Sequence, residues 1–246
     1  MAVEFGLLIL GAYLLGSVPA AYLVAKWSRG IDIRQYGSGN VGASNLLTVV
    51  SKRWGIPVII FDLVKGMVAV YIAQLIGLDT IQQVTTGIAV IIGHNWPVFL
   101  RLSGGRGILT TLGVALILPS INNRVPWEAI IALAIVALTL FVFHNFPLGV
   151  IGGVTALPVV GWALGEPLPI TLGFVAIFLI AVIRRLAVPR IPVAASVSTG
   201  QLLLNRLLFD RDIRDRQAWI HQTRPQASLF KQQPEERKTQ GKGDDK

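Results

Sequence analysis

The chain has 246 residues, of which 53% are hydrophobic and only 14% charged, with a mean hydropathy of +0.63 and a net charge of +9. A soluble domain carries about 25% charged residues, so this composition excludes an ordinary water-soluble globule. The chain contains no cysteine, which excludes a disulfide framework, a thiolate nucleophile, an iron–sulfur cluster and a Cys-built zinc site.

Apolar runs occupy residues 3–25, 56–77, 80–99, 108–120, 127–143, 148–164 and 169–186. A crossing takes about 20 apolar residues, so the shorter runs at 108–120 and 148–164 call for short helices or partly polar flanks. The pattern predicts an all-α, polytopic membrane protein with about seven transmembrane helices. The first run begins with Glu4 and no basic residue, unlike a cleaved signal peptide, and is read as a retained span.

Between the first and second runs lies a polar loop, Gly37-Ser38-Gly39-Asn40-Val41-Gly42-Ala43-Ser44-Asn45, flanked by Arg34 and Lys52. Glycines let backbone N–H groups close on a phosphate, and Ser38, Asn40, Ser44 and Asn45 add side-chain donors. A tight turn with helix caps explains the same residues without a ligand. Asn45–Trp54 has the spacing of an amphipathic surface helix, and equally suits a short connector packed on the bundle. In the second run, Asp62 and Lys65 are three apart and share a helix face. Charges at membrane depth face the protein interior or a wet cavity, and these two are candidates for function; a Lys65 that snorkels to the cytoplasmic surface with Asp62 as partner is the alternative.

A second polar loop spans Gly93–Gly107, with His94 near its start and Gly104-Gly105-Arg106-Gly107 at the head of the next apolar run. A guanidinium at a helix N-terminus suits an anionic group. His94 suits a general base, or a structural hydrogen-bonding role. The three histidines (His94, His144, His221) are far apart in sequence and argue against a metal site. Arg184, Arg185 and Arg190 read as anchors at a helix end. The domain reading is a membrane body over 1–190, an amphipathic cytoplasmic segment over 191–209, and a charged, disordered tail over 210–246.

Threading the runs as alternating crossings puts every Lys and Arg except Arg124 on one side, with Arg124 opposite beside Glu4, Asp79, Glu128 and Glu166. The basic side is cytoplasmic, so both glycine loops and the C-terminus lie inside and the N-terminus outside. The positive charge answers to anionic headgroups rather than nucleic acid.

With Gly37–Asn45, Asp62-Leu63-Val64-Lys65-Gly66 and Gly93-His94…Gly104-Gly105-Arg106-Gly107 in this order, residues 8–190 resemble the bacterial membrane glycerol-3-phosphate acyltransferases of the PlsY type. The resemblance implies a seven-helix fold in the bacterial inner membrane, with a cytoplasm-facing site and no metal or other cofactor. It also implies acyl transfer from acyl phosphate to glycerol 3-phosphate, giving lysophosphatidic acid and phosphate. An upstream acyl-phosphate-forming enzyme would then supply the donor. On that footing Lys65, His94 and Arg106 are the catalytic candidates. Gly37, Ser38, Gly39, Asn40, Gly42, Asn45, Gly104, Gly105 and Gly107 are the phosphate-binding candidates.

The chain departs from the family pattern at three places. Ser103 and Arg106 stand where the second loop usually has lysines, and Thr48 stands where an arginine is usual. Asn205-Arg206-Leu207-Leu208 follows Arg184-Arg185 only after an apolar insertion. Two other readings fit an anion site at a membrane edge: an altered or inactive relative that binds phospholipid or another polyol phosphate, and a transporter of a phosphorylated solute.

Overall fold

The computed structural model describes residues 2–188, 197–215 and 219, and among these it is helical, with no strand. Most of the tail read as disordered therefore lies outside the described residues, as do Arg190, His221 and residues 191–196. Helix α1 (Ala2–Ser17) breaks at Pro19 and resumes as α2 (Ala20–Arg29), which Gly30 ends in a left-handed conformation. A short α3 (Ala43–Val49) leads into α4 (Lys52–Leu75) and α5 (Thr80–Asn95). After the second loop come α6 (Ile108–Ile121), α7 (Trp127–Phe143), α8 (Phe146–Ala163) and α9 (Leu168–Leu186). A final α10 (Thr199–Phe209) packs against α8 and α9.

Among the described residues four segments are long and apolar enough to cross a membrane by themselves: Val3–Arg29, Lys52–Leu75, Phe146–Ala163 and Leu168–Leu186. Helices α6 and α7 are apolar but shorter. Large apolar side chains such as Leu7, Ile60, Leu75, Val159, Leu172 and Leu179 stand exposed around the bundle. That much apolar surface is sustainable only against lipid. This is an all-α membrane protein.

Lipid tails are as apolar as the helix surfaces, so helices in a bilayer associate through close packing rather than through expulsion of water. Here glycines provide that packing. A Cβ on Gly16 would lie 2.1 Å from the Val90 carbonyl oxygen, and one on Gly93 2.2 Å from that of Tyr13, so α1 and α5 touch backbone to backbone. Gly66 and Gly113 join α4 to α6 in the same way, at 2.4 Å from the Thr110 oxygen and 2.1 Å from the Leu63 oxygen. These two contacts converge on the level of Lys65 and His94.

Two expectations about local structure change. The amphipathic helix over Asn45–Trp54 is two pieces, because α3 ends at Val49 and an extended Ser51 precedes α4. The break lets α3 fold back on α4, where the Leu47 side chain occupies the space a Cβ on Gly55 would need, 2.3 Å away. In the second loop, His94 and Asn95 still belong to the last turn of α5, which stops ahead of Pro97 because a residue before proline is pushed out of the helical region.

Candidate functional site

The first glycine loop is tied together by one side chain. Asn45 is 3% exposed. Its Oδ1 accepts the Ser38 N–H at 3.0 Å, and its Nδ2 donates to the Tyr36 and Asn40 carbonyls at 3.1 Å each and to that of Ile33 at 3.3 Å. Gly37 and Gly39 take positive φ angles of 56° and 69°, which lets the chain turn twice around that amide. Asp32 starts the loop by accepting the Arg34 N–H, and its ion pair with the Arg34 guanidinium at 2.6 Å holds its carboxyl below the usual carboxylate range. The amide of Asn45 is thus used up inside the loop, and Ser38, Asn40, Ser44 and Thr48 are the side chains that line the cleft beside it. Asn45→Ala should leave several buried polar groups unpaired and cost about 2 kcal/mol, read as a lower thermal midpoint in detergent together with weaker substrate binding.

A second group lies deeper. The Lys65 ammonium sits 2.7 Å from Asp62 Oδ1, with the two side chains only 1% and 4% exposed. It also donates to the Gly16 carbonyl at 3.2 Å, across the α1–α4 boundary. His94 Nδ1 lies 3.5 Å from the same Asp62 oxygen and 3.4 Å from the Thr110 hydroxyl. A void of about 10 Å³, lined among others by Gly16, Asp62, His94, Gly104 and Gly105, adjoins the group. Lys65 is therefore neither a snorkelling lysine nor a direct neighbour of the cleft. It neutralises Asp62, and the same Asp62 oxygen lies beside His94.

The second loop closes over His94. Gly105 N–H donates to the His94 carbonyl at 3.1 Å, and a Cβ on Gly105 would lie 2.2 Å from His94 Nε2. From α9, Arg184 donates to the Gly105 carbonyl at 2.9 Å and to that of Gly104 at 2.8 Å. Arg106 returns the contact, donating to the Arg184 carbonyl at 2.7 Å and pairing with Asp210 at 2.9 Å. Its Nε is buried with no hydrogen-bond partner. Arg185, read from sequence as a membrane anchor, is 6% exposed and donates to the Pro147 carbonyl at 2.9 Å and to that of Leu207. Arg184 and Arg185 can each hold two carbonyls because a guanidinium presents five donors in a fixed fork.

These loops border a cleft of about 620 Å³. One wall carries Gly37, Ser38, Asn40, Ser44, Asn45 and Thr48, and Arg106 and Arg185 face it. Ile108, Phe146 and Val150 line this cleft and also a neighbouring apolar groove of about 160 Å³ between α6, α7 and α8, which continues along Leu112, Val136 and Leu157. A cleft lined by arginines and glycine-loop donors thus borders an apolar groove across three shared side chains.

Of the residues singled out from sequence, Gly37, Ser38, Asn40, Asn45 and Arg106 line the cleft. Lys65 and His94 form the buried group beneath, and Gly104 and Gly105 separate the two. Gly107, with φ of 68°, starts α6 and packs on Asn95. Sequence reasoning missed Arg185 and the residues Asp210, Arg211, Arg214 and Trp219, which also line the cleft. The last four fall in a stretch whose composition reads as a solvated tail, and no local pattern marks them as a wall. Among the described residues no group of three or more His, Cys, Asp or Glu side chains is placed to hold a metal.

Residues 6–191 match the model of the family described as glycerol-3-phosphate acyltransferase. Glycerol-3-phosphate acyltransferases 4 and 5 of two Dehalococcoides mccartyi strains are each 45% identical over 227 residues, covering 90% of this chain and 95% and 94% of theirs. The crystal structure of PlsY (YgiH), an integral membrane glycerol 3-phosphate acyltransferase, in its glycerol 3-phosphate form superposes with a TM-score of 0.68 at 29% identity, covering 74% of this chain and 88% of that one. Its lysophosphatidic acid form gives 0.66 at 27% identity, covering 84% and 98%.

Proposed function

The chain belongs to the glycerol-3-phosphate acyltransferase family, membrane enzymes of phospholipid biosynthesis, and we propose that it takes the acyl group for glycerol 3-phosphate from an acyl phosphate. The observation that carries this donor is that an arginine-lined cleft and an apolar groove meet at shared side chains. An acyl phosphate has that shape: a phosphate head joined directly to a hydrocarbon chain, with the reacting carbonyl at the junction. The junction here is the ring of Ile108, Phe146 and Val150.

In this reading the donor phosphate sits near Arg106, whose Nε has no other partner, and near the Ser38–Asn40 turn. A hydroxyl oxygen of glycerol 3-phosphate attacks the acyl carbon, the bond from that carbon to the phosphate oxygen breaks, and phosphate leaves with both bonding electrons. The hydroxyl proton passes to the departing phosphate, a base in its dianionic form. His94 lies behind Gly105, against Asp62 and Thr110, which favours a positioning role over proton transfer. Fixed cations and loop donors stabilise the charge that builds on the leaving group. Burial of the chain in the groove and of the phosphate in the cleft supplies the alignment.

The charge distribution supports a cytoplasm-facing site in a bacterial inner membrane, with the N-terminus outside and the C-terminus inside. An acyl phosphate hydrolyses in water, so an enzyme that makes it from activated acyl chains must act upstream.

The test is release of phosphate by the purified protein given palmitoyl phosphate and glycerol 3-phosphate. Release that requires the acceptor and yields equimolar lysophosphatidic acid is expected. Acylation from acyl-CoA with none from acyl phosphate would overturn the donor. The groove gives a sharper check. Leu112→Trp should cut turnover of sixteen-carbon acyl phosphate by about tenfold while sparing eight- to ten-carbon donors, because the added ring fills a narrow apolar channel.

A further inference from the structure

Part of the cleft lining is supplied by residues beyond the family match at 6–191. It is a fixed part of the fold. Ser198 caps α10 by accepting the Gln201 N–H, and Asn205, 7% exposed, donates to the Asp212 carbonyl at 3.1 Å. Arg206 pairs with Asp212 at 2.7 Å and donates to the Leu186 carbonyl at 2.7 Å, binding the turn after α10 to the end of α9. This places Phe209, Asp210, Arg211 and Arg214 on the cleft, with both guanidiniums over the Phe209 ring at 5.5 and 5.7 Å from its centre.

The first glycine loop and α3 bring only uncharged side-chain donors to the cleft: Ser38, Asn40, Ser44 and Thr48. Of the lining arginines, Arg185 spends its terminal nitrogens on carbonyls, and Arg106 spends one on the Arg184 carbonyl and one on Asp210. That last contact is informative, since Asp210, 22% exposed, is an anion of the chain itself seated inside the cleft. Arg214 is exposed, and its guanidinium rests on the Phe209 ring. A dianionic phosphate entering the cleft therefore meets the Arg211 and Arg214 guanidiniums as well as those of Arg106 and Arg185.

We propose that Arg214, with Arg211 beside it, binds a substrate phosphate, so that part of the anion site is carried by the C-terminal segment rather than by the membrane body. This deepens the reading above and rests on it. Both substrates carry the required group, and the experiment separates them.

Steady-state rates of the purified full-length chain in detergent, with glycerol 3-phosphate and palmitoyl phosphate varied in turn, are compared for wild type, Arg214→Gln, Arg211→Gln/Arg214→Gln and Arg214→Lys. Lys26→Gln, an exposed cation away from the cleft, serves as control. Loss of one charge-assisted contact should raise KM for one of the two substrates about tenfold in Arg214→Gln, with kcat within about twofold. The double variant should raise it further, and Arg214→Lys should recover most of it. The substrate whose KM moves identifies which phosphate sits there. If neither KM moves by more than twofold in either glutamine variant while wild type turns over, the proposal is wrong and the acyltransfer reading stands. If wild type does not turn over, the acyltransfer reading has failed. Calorimetric titration with glycerol 3-phosphate and with inorganic phosphate then still decides: affinities equal in wild type and the double variant, or absent from both, overturn the assignment.

Discussion

Lys65→Met is expected to lower activity by at least about a hundredfold and to destabilise the protein by about 3–5 kcal/mol, the usual result of removing one partner of a buried ion pair. Asp62 would be left at 4% exposure with its nearest cation gone, and the Gly16 carbonyl would lose its donor across the α1–α4 boundary. The stability loss alone would be compatible with a merely structural lysine. The double variant Asp62→Leu/Lys65→Met separates the two roles, because removing both charges of a buried pair is often close to neutral in stability. It should regain most of the lost thermal midpoint yet stay inactive, since His94 loses the carboxylate beside it. Recovery of turnover along with the midpoint would show that the group only holds helices together.

Gly105→Ala is expected to cost activity out of proportion to stability. Its Cβ would lie 2.2 Å from His94 Nε2 and 2.7 Å from the Val41 carbonyl oxygen, so either the imidazole or the first loop must move. Overpacking of this kind costs about 1–3 kcal/mol. A displacement of about 1 Å beside the reacting groups costs on the order of a hundredfold in rate, and that is the loss expected here. Gly11→Ala is the matched control, because a Cβ there meets nothing within 4 Å, and in the helix interior the change should be neutral or slightly stabilising. An active Gly105→Ala enzyme would mean that the contact between the second loop and His94 has no part in catalysis.

The membrane character, the apolar runs and the glycine loops were legible in the chain because each is a local property. Seven apolar runs map onto α1–α2 and α4–α9 with ends shifted by a few residues. Asp62 and Lys65 pair because a separation of three puts them on one helix face, a rule that needs no neighbour. The role of Asn45 was harder to read. Its type suited ligand binding, but all its hydrogen bonds turn inward on residues 33–40, and direction is not encoded in residue type.

What composition and spacing determined, then, is an all-α membrane protein with two glycine-rich polar loops and one charged pair at the membrane edge. Tertiary structure alone decided that His94 meets Asp62, that Gly16 meets Lys65, that Arg184 grips Gly104 and Gly105, and that residues 209–214 wall the cleft. The physical reason is the way the helices meet. Their contacts are set by backbone approach at Gly16, Gly93, Gly66 and Gly113, and a glycine that lets a distant helix in leaves no periodic mark to say which helix it will be.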